Sequence, residues 1–240
     1  MQYQQVIMGM PIAIELEEPD QEVADRAFAI FRRIDSQFSP YKVDSEVSKI
    51  SRGDISASDA TAEMQEVIAA CDRWHQRTRG YFNAHYNNGF DPSGYVKGWA
   101  IRQVADFILA AGRSSFYINA GGDALAVGRV WRAGIRLPDN AQQYACRLGL
   151  NNMAIATSGA YIRGAHIINP FTGNAPRGPQ SISVIGPDII TADVLATTFF
   201  AMGDEYTSNL GRLLPADYLL YVIEADGRAT YSPALQQFMI

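Results

Sequence analysis

Residues 116–157 read FYINAGGDALAVGRVWRAGIRLPDNAQQYACRLGLNNMAIAT. Short runs rich in branched and aromatic residues follow one another here: Phe116–Asn119, Ala124–Val127, Trp131–Leu137, Cys146–Leu150 and Ala154–Thr157. Gly, Asn and Asp lie between them, which is the spelling of strands joined by tight turns. No helix long enough to cross back over a sheet separates one run from the next, so neighbouring strands are expected to pair antiparallel rather than to form a doubly wound parallel sheet. The predicted class is α+β, with mixed or antiparallel sheets and packed helices.

Working outward, Val6–Leu16 reads as one strand broken at Gly9-Met10-Pro11, because alternation resumes in Ile12-Ala13-Ile14-Glu15-Leu16. Asp20 caps a helix in which Val23, Ala24, Ala27, Phe28, Phe31 and Ile34 share one face. A second amphipathic helix is expected from Ser58 to Arg77, closed by Gly80, and then a polar, glycine-containing loop over Asn83–Lys97. Helical spacing returns in Gly98–Ala111. Ser181–Ile185 reads as a strand, Thr191–Met202 as a helix, and Tyr218–Glu224 with Ala229–Tyr231 as a hairpin turned at Asp226-Gly227. With no repeat, linker or low-complexity segment, residues 1–240 are treated as a single domain.

The composition excludes several classes. Hydrophobic residues make up 48% of the 240, ample for a packed core, and the formal net charge is −5. No sequence-wide basic field exists to attract a phosphate backbone, so nucleic acid is not an expected partner. Polar residues interrupt the apolar stretches short of the roughly 20 residues that cross a bilayer, so no transmembrane segment is expected. Met1-Gln2-Tyr3-Gln4-Gln5 has neither a basic start nor a long apolar segment ending in small residues. That leads to the expectation of a cytoplasmic protein, or of an exported one whose leader lies outside this sequence. Cys71 and Cys146 form no CxxC pair and read as reduced structural thiols.

Three polar clusters fall at element junctions, where a scaffold can present side chains to a ligand. Asp91-Pro92-Ser93-Gly94-Tyr95-Val96-Lys97-Gly98 is either an ordinary helix entry or a place where backbone amides and Lys97 meet a phosphate. Asn119-Ala120-Gly121-Gly122-Asp123 is either a hairpin turn or a carboxylate presented to a ribose or an adenine amine. Asp193 and Thr197 lie four residues apart on one face of an apolar helix. A hard cation with oxygen ligands would satisfy both, and so would a helix-end acid beside a Thr bonded back to its own helix. His166 is either a structural imidazole or a general base. Ser158 lacks both the nucleophile-elbow spacing and a Ser-His-Asp pattern, so a serine hydrolase is rejected.

In this order the segments resemble the ApbE family of FAD:protein FMN transferases, which are magnesium-dependent. The matching stretches are Met8-Gly9, Phe38-Ser39-Pro40-Tyr41 with Asp44–Ser48, Asp91–Gly98, Asn119–Asp123, Ala156–Gly159, His166–Gly173 and Ala192–Thr197, spread over nearly the whole chain. The resemblance implies a T-fold-like architecture, FAD as substrate, magnesium as cofactor and a target flavoprotein carrying an acceptor Ser or Thr. It implies that Tyr41 lies against the isoalloxazine and that Asp91, Lys97 and Asp123 hold FAD, with Met8 and Ile167 in contact with it. It further implies Asp193, Thr197 and the Gly94 carbonyl as magnesium ligands, and His166 with Asp193 as the catalytic residues.

This sequence also departs from the family. Asn83 and Asn169 stand where Asp is usual, Met10 replaces Thr after Met8-Gly9, and the stretch between Phe82 and Asp91 is short. Fewer negative oxygens imply weaker magnesium binding or one metal instead of two. Two alternatives to transfer therefore remain: magnesium-dependent FAD hydrolysis to FMN and AMP, and flavin binding without catalysis.

Overall fold

The computed structural model describes residues 1–86, 89–159 and 167–240. Strand β1 (Gln2–Ile7) turns at Met8-Gly9 into β2 (Met10–Leu16). Both turn residues have positive φ, 56° and 69°, giving a two-residue turn whose twist matches its strands. The single broken strand expected from alternation is therefore a hairpin, hidden because methionine seldom takes this conformation.

Helix α1 (Gln21–Phe38) starts where Asp20 accepts a hydrogen bond from the Val23 amide, and it buries the predicted face from Val23 to Ile34. Helix α2 (Glu46–Arg52) was not expected; Ser45 caps it by accepting from the Ser48 amide, and Gly53 ends it at φ 77°. Helix α3 (Ala62–Arg77) begins later than the spacing suggested, because Ala57–Asp59 form a separate 3-10 turn and Thr61 is the cap. The short strands β3 (His85–Tyr86) and β4 (Gly89–Phe90) pair with each other.

Helix α4 (Ser93–Ala110) replaces the loop expected as far as Lys97. The glycines that suggested a loop serve close approach between elements instead. A Cβ on Gly94 would lie 3.2 Å from the Phe82 ring, and one on Gly98 would lie 3.0 Å from the Ile189 carbonyl oxygen.

The remaining strands are β5 (Phe116–Ala120), β6 (Asp123–Val127), β7 (Trp131–Leu137), β8 (Asn140–Leu150), β9 (Met153–Gly159), β10 (Ser181–Gly186), β11 (Leu219–Ile223) and β12 (Ala229–Tyr231). Between β10 and β11 lie α5 (Ile189–Met202) and α6 (Tyr206–Leu213). Eight strands form one sheet in the order β1-β2-β5-β6-β9-β10-β11-β12. Each neighbouring pair is antiparallel, including β2–β5 and β10–β11, which helices separate in the chain.

One face of this sheet carries Ile12, Ile14, Phe116, Ile118, Ile182 and Val184 against the apolar sides of the helices. The other face is covered by the β7–β8 ribbon, whose Trp131, Ile135, Leu148 and Leu150 pack with Ile155, Ile185 and Tyr221. Burying a side chain of this kind contributes about 1.5–3 kcal/mol, so both layers hold the sheet in register. Burial pushes the Cys71 thiol up to about 12, and neither cysteine is in a disulfide, in keeping with structural thiols. No helix among the described residues is long and apolar enough to cross a membrane.

The pairings Ile12↔Ala120 and Ala120↔Asp123 bring the Met8-Gly9 and Gly121-Gly122 turns to the same end of the sheet. Pairing of Ser181 with Gly159 puts the close of β9 and the opening of β10 there as well.

Candidate active site

Asp188 caps α5, its Oδ2 accepting from the Thr191 amide at 2.8 Å. Asp193, further along the helix, is completely buried and accepts at Oδ2 from the Gly98 amide of α4 at 2.9 Å. Asp193 is thus not the helix-end acid. The Thr that bonds back to its own helix is Thr198, which donates to the Val194 carbonyl at 2.7 Å. Thr197 instead meets Ser158 of β9, hydroxyl to hydroxyl at 3.2 Å. Both bland readings of this stripe fail for structural reasons.

Asp123 opens β6 directly after the Gly121-Gly122 turn, whose φ values are 63° and 108°. It is a hairpin, and it also aims a carboxylate into the core, where the Thr157 amide and the Lys97 ammonium face its two oxygens. Oδ1 of Asp123 accepts from the Thr157 amide at 2.9 Å. Its Oδ2 lies 2.5 Å from Lys97 Nζ, and the same ammonium stands 3.3 Å from Asp193 Oδ1. Lys97 on α4 thereby joins residues of β6 and α5 that no sequence spacing relates.

The charges in this pocket do not cancel, for two buried carboxylates face one ammonium. Burial pushes the Asp193 carboxyl up to about 7, and Asp123 adds to the rise, against the opposing pull of Lys97 and the Gly98 amide. Asp193 Oδ1 and Asp123 Oδ2 both lack an aligned hydrogen-bond donor, and each faces the Lys97 ammonium. Two buried carboxylates facing one ammonium leave net negative charge, and a cation that took the place of the ammonium at Asp193 would offset it.

The residues present fit a hard divalent cation. Thr197 is one helical turn beyond Asp193, and Gly94 faces it, a Cβ there lying 3.6 Å from Thr197 Cγ2. The Gly98 amide, whose regular helical acceptor would be the Gly94 carbonyl, is the donor that reaches Asp193. Among the described residues no cluster of three or more His, Cys, Asp or Glu gathers, so a cation here would take a mixed set of carboxylate, hydroxyl and peptide oxygens.

Met8 sits half-buried in the β1–β2 turn at this end of the sheet. Tyr41 is 92% exposed, on a loop pinned by Ser45 Oγ donating to the Ser39 carbonyl at 2.6 Å and by the Tyr41 amide donating to Ser39 Oγ at 3.2 Å. Asp91 is exposed, and its Oδ1 accepts from the Ser93 amide at 2.9 Å, helping to start α4. Ile167 is half-buried. His166 lies outside the described residues. Sequence reasoning missed Thr157, whose amide fixes Asp123 and whose hydroxyl meets Ser183 at 2.8 Å. Its place in the Ala156–Gly159 stretch was its sequence signal.

The departures from the family pattern keep their turns. Asn83 Oδ1 accepts from the His85 amide at 2.9 Å, and Asn169 Oδ1 accepts from the Phe171 amide at 2.9 Å, as an Asp would.

An antiparallel sheet covered by helices on one face, with two buried carboxylates bridged by a lysine at one end, defines an α+β protein with a charged centre at the end of its sheet. The sequence profile of the ApbE family matches residues 8–89 and 85–217, and the chain belongs to that family. A FAD:protein FMN transferase of Vibrio cholerae is 30% identical over 157 residues, covering 59% of this chain and 47% of that protein. One of Haemophilus influenzae is 32% identical over 131 residues, covering 48% of this chain and 38% of its own. The chain therefore spans about half the length of these curated relatives, or less. The crystal structure of the ApbE protein from Thermotoga maritima superposes with a TM-score of 0.87 at 20% identity, covering 100% of this chain and 99% of that one. The flavin transferase ApbE of Vibrio cholerae gives 0.80 at 22% identity, covering 99% of both. At such identities these structures speak for the fold.

Proposed function

We propose that this protein transfers FMN from FAD to a Ser or Thr hydroxyl of an acceptor flavoprotein and releases AMP. The observation that carries this reading is the convergence of Lys97, Asp123 and Asp193, with Thr197 beside them, at one end of the sheet. The relatives named FAD:protein FMN transferase lend it support. Strands from both ends of the chain share the main sheet, which supports treating residues 1–240 as one functional unit.

In this proposal Asp193, Thr197 and the Gly94 carbonyl hold magnesium, which when bound draws charge off the pyrophosphate. Met8, Tyr41, Asp91, Asp123 and Ile167 hold FAD, the Tyr41 ring offering a flat face to the isoalloxazine. The acceptor oxygen forms a bond to the phosphorus on the FMN side as the bond from that phosphorus to the AMP oxygen breaks. AMP leaves with the electron pair, and Lys97 offsets the negative charge that develops there. His166 takes the hydroxyl proton, a role worth about 10²–10⁴ in rate when lost.

Incubation with FAD, magnesium and a panel of flavoproteins is expected to give one acceptor an added mass of FMN, removed by Ser or Thr to Ala substitution at the acceptor site. FMN and AMP appearing at the same rate with and without acceptor would assign the chain to hydrolysis instead.

A further inference from the structure

We infer that Lys97 is the resident counter-ion of the cation site: its ammonium holds the Asp193 carboxylate until a divalent cation takes it over, and its attachment to Asp123 sets how readily it gives way. The cation's use in catalysis rests on the function proposed above; its binding does not.

The geometry separates the three groups by how firmly each is held. Asp123 is fixed, with a side chain 1% exposed and Oδ1 bound to the Thr157 amide. Asp193 is fixed equally through Oδ2 and the Gly98 amide, which leaves Oδ1 as the oxygen facing the Lys97 ammonium. Lys97 alone is on a long flexible stem, and its side chain is 21% exposed. Its ammonium is closer to Asp123, at 2.5 Å, than to Asp193, at 3.3 Å. A small movement towards Asp123 gives up the weaker contact and keeps the stronger one.

Two cations cannot share one dry carboxylate cheaply, because repulsion between them is strong where water does not screen it. Lys97 therefore competes with any cation drawn to Asp193 Oδ1, and Asp123 is the anchor that draws Lys97 aside. Without the ammonium the cation should bind more tightly. Without the charge on Asp123 the ammonium should settle on Asp193, and the cation should bind more weakly. A lysine serving only a flavin phosphate would leave cation affinity unchanged in both variants when flavin is absent.

The test is titration of the whole 240-residue chain with Mn²⁺ in the absence of flavin, the unbound ion being counted by its paramagnetic resonance. Lys97→Gln is expected to tighten Mn²⁺ binding, and Asp123→Asn to weaken it, each by about tenfold or more. Unchanged or weaker binding by Lys97→Gln, or unchanged or tighter binding by Asp123→Asn, overturns the assignment. If Lys97→Gln does not fold, Asp123→Asn decides alone. FAD binding by the wild-type chain, followed by flavin fluorescence, is measured in parallel. Loss of the flavin signal with the Mn²⁺ shifts intact removes the transferase reading and leaves the counter-ion standing. Flavin binding without any Mn²⁺ binding does the reverse.

Discussion

The backbone amide of Gly98 donates to Asp193 Oδ2 at 2.9 Å, joining residues 95 apart in the chain. The bond requires α4 and α5 to approach until Gly98 touches the backbone of Ile189 and Ile190. Helix packing and the placing of a buried carboxylate are therefore one event here, and the pocket cannot loosen without the core loosening too.

Gly98→Ala tests that coupling. The added methyl would meet the Ile189 carbonyl oxygen and Ile190 Cα at 3.0 Å and Asp193 Cβ at 3.2 Å, and none of these is the far end of a flexible side chain. Overpacking of this kind costs about 1–3 kcal/mol. Urea denaturation should show that loss together with weaker Mn²⁺ binding; a loss of stability alone would mean that Asp193 is positioned by something other than this contact.

Asp193→Asn keeps an oxygen for the Gly98 amide and removes the charge. Because the amide has nearly the volume of the carboxyl and keeps the acceptor for Gly98, the chain should remain folded. Cation-dependent transfer should fall by about 10²-fold or more, as expected when a direct ligand of a catalytic ion is neutralised. Circular dichroism and acceptor flavinylation measured on one preparation decide it, and full transfer activity would remove Asp193 from the cation site.

What the sequence made legible was whatever local spacing controls. The apolar face of α1, the apolar helix α5, the hairpin at Asp226-Gly227 and the four-residue spacing of Asp193 and Thr197 all follow from local composition, period and turn chemistry. Helix α2 escaped because its 7 residues offer Val47 alone as a buried side chain, too little to show a face. Gly94 and Gly98 misled, since a glycine at a helix crossing is spelled like a glycine in a loop. The Lys97 bridge could not be read from spacing, because it joins three elements whose meeting is decided by the tertiary fold.

The cap of α5 carries a pH dependence whose sign can be given. Burial disfavours the Asp188 charge, but the Thr191 amide and hydroxyl and the Arg102 guanidinium, 2.6 Å away, together hold the carboxyl below its ordinary value of 3.8. A lowered folded value means stability that is present above 3.8 and lost as pH falls through the lower folded value. Asp188→Ala should cost about 1–2 kcal/mol at neutral pH, in the range of lost helix caps. That difference from wild type should shrink in denaturation curves taken at successively more acid pH below 3.8, and a difference constant with pH would show that the charge plays no part.

Tyr41 offers the sharpest separation of fold from function. Its side chain is 92% exposed, so folding gains almost nothing from the ring, while the serines around it spend hydrogen bonds on holding the loop that displays it. A large aromatic kept in water has no structural account here, and a planar ligand would supply one. Tyr41→Ala should leave stability within about 0.5 kcal/mol of wild type, as for surface positions generally. The same change should weaken FAD binding by about three- to tenfold, the worth of one stacked ring. Tyr41→Phe keeps the face and loses only the hydroxyl, so it should restore the affinity. Equal FAD binding by Tyr41→Ala and wild type, measured by fluorescence titration, would mean that the flavin ring lies elsewhere and that this loop serves the acceptor protein or nothing at all.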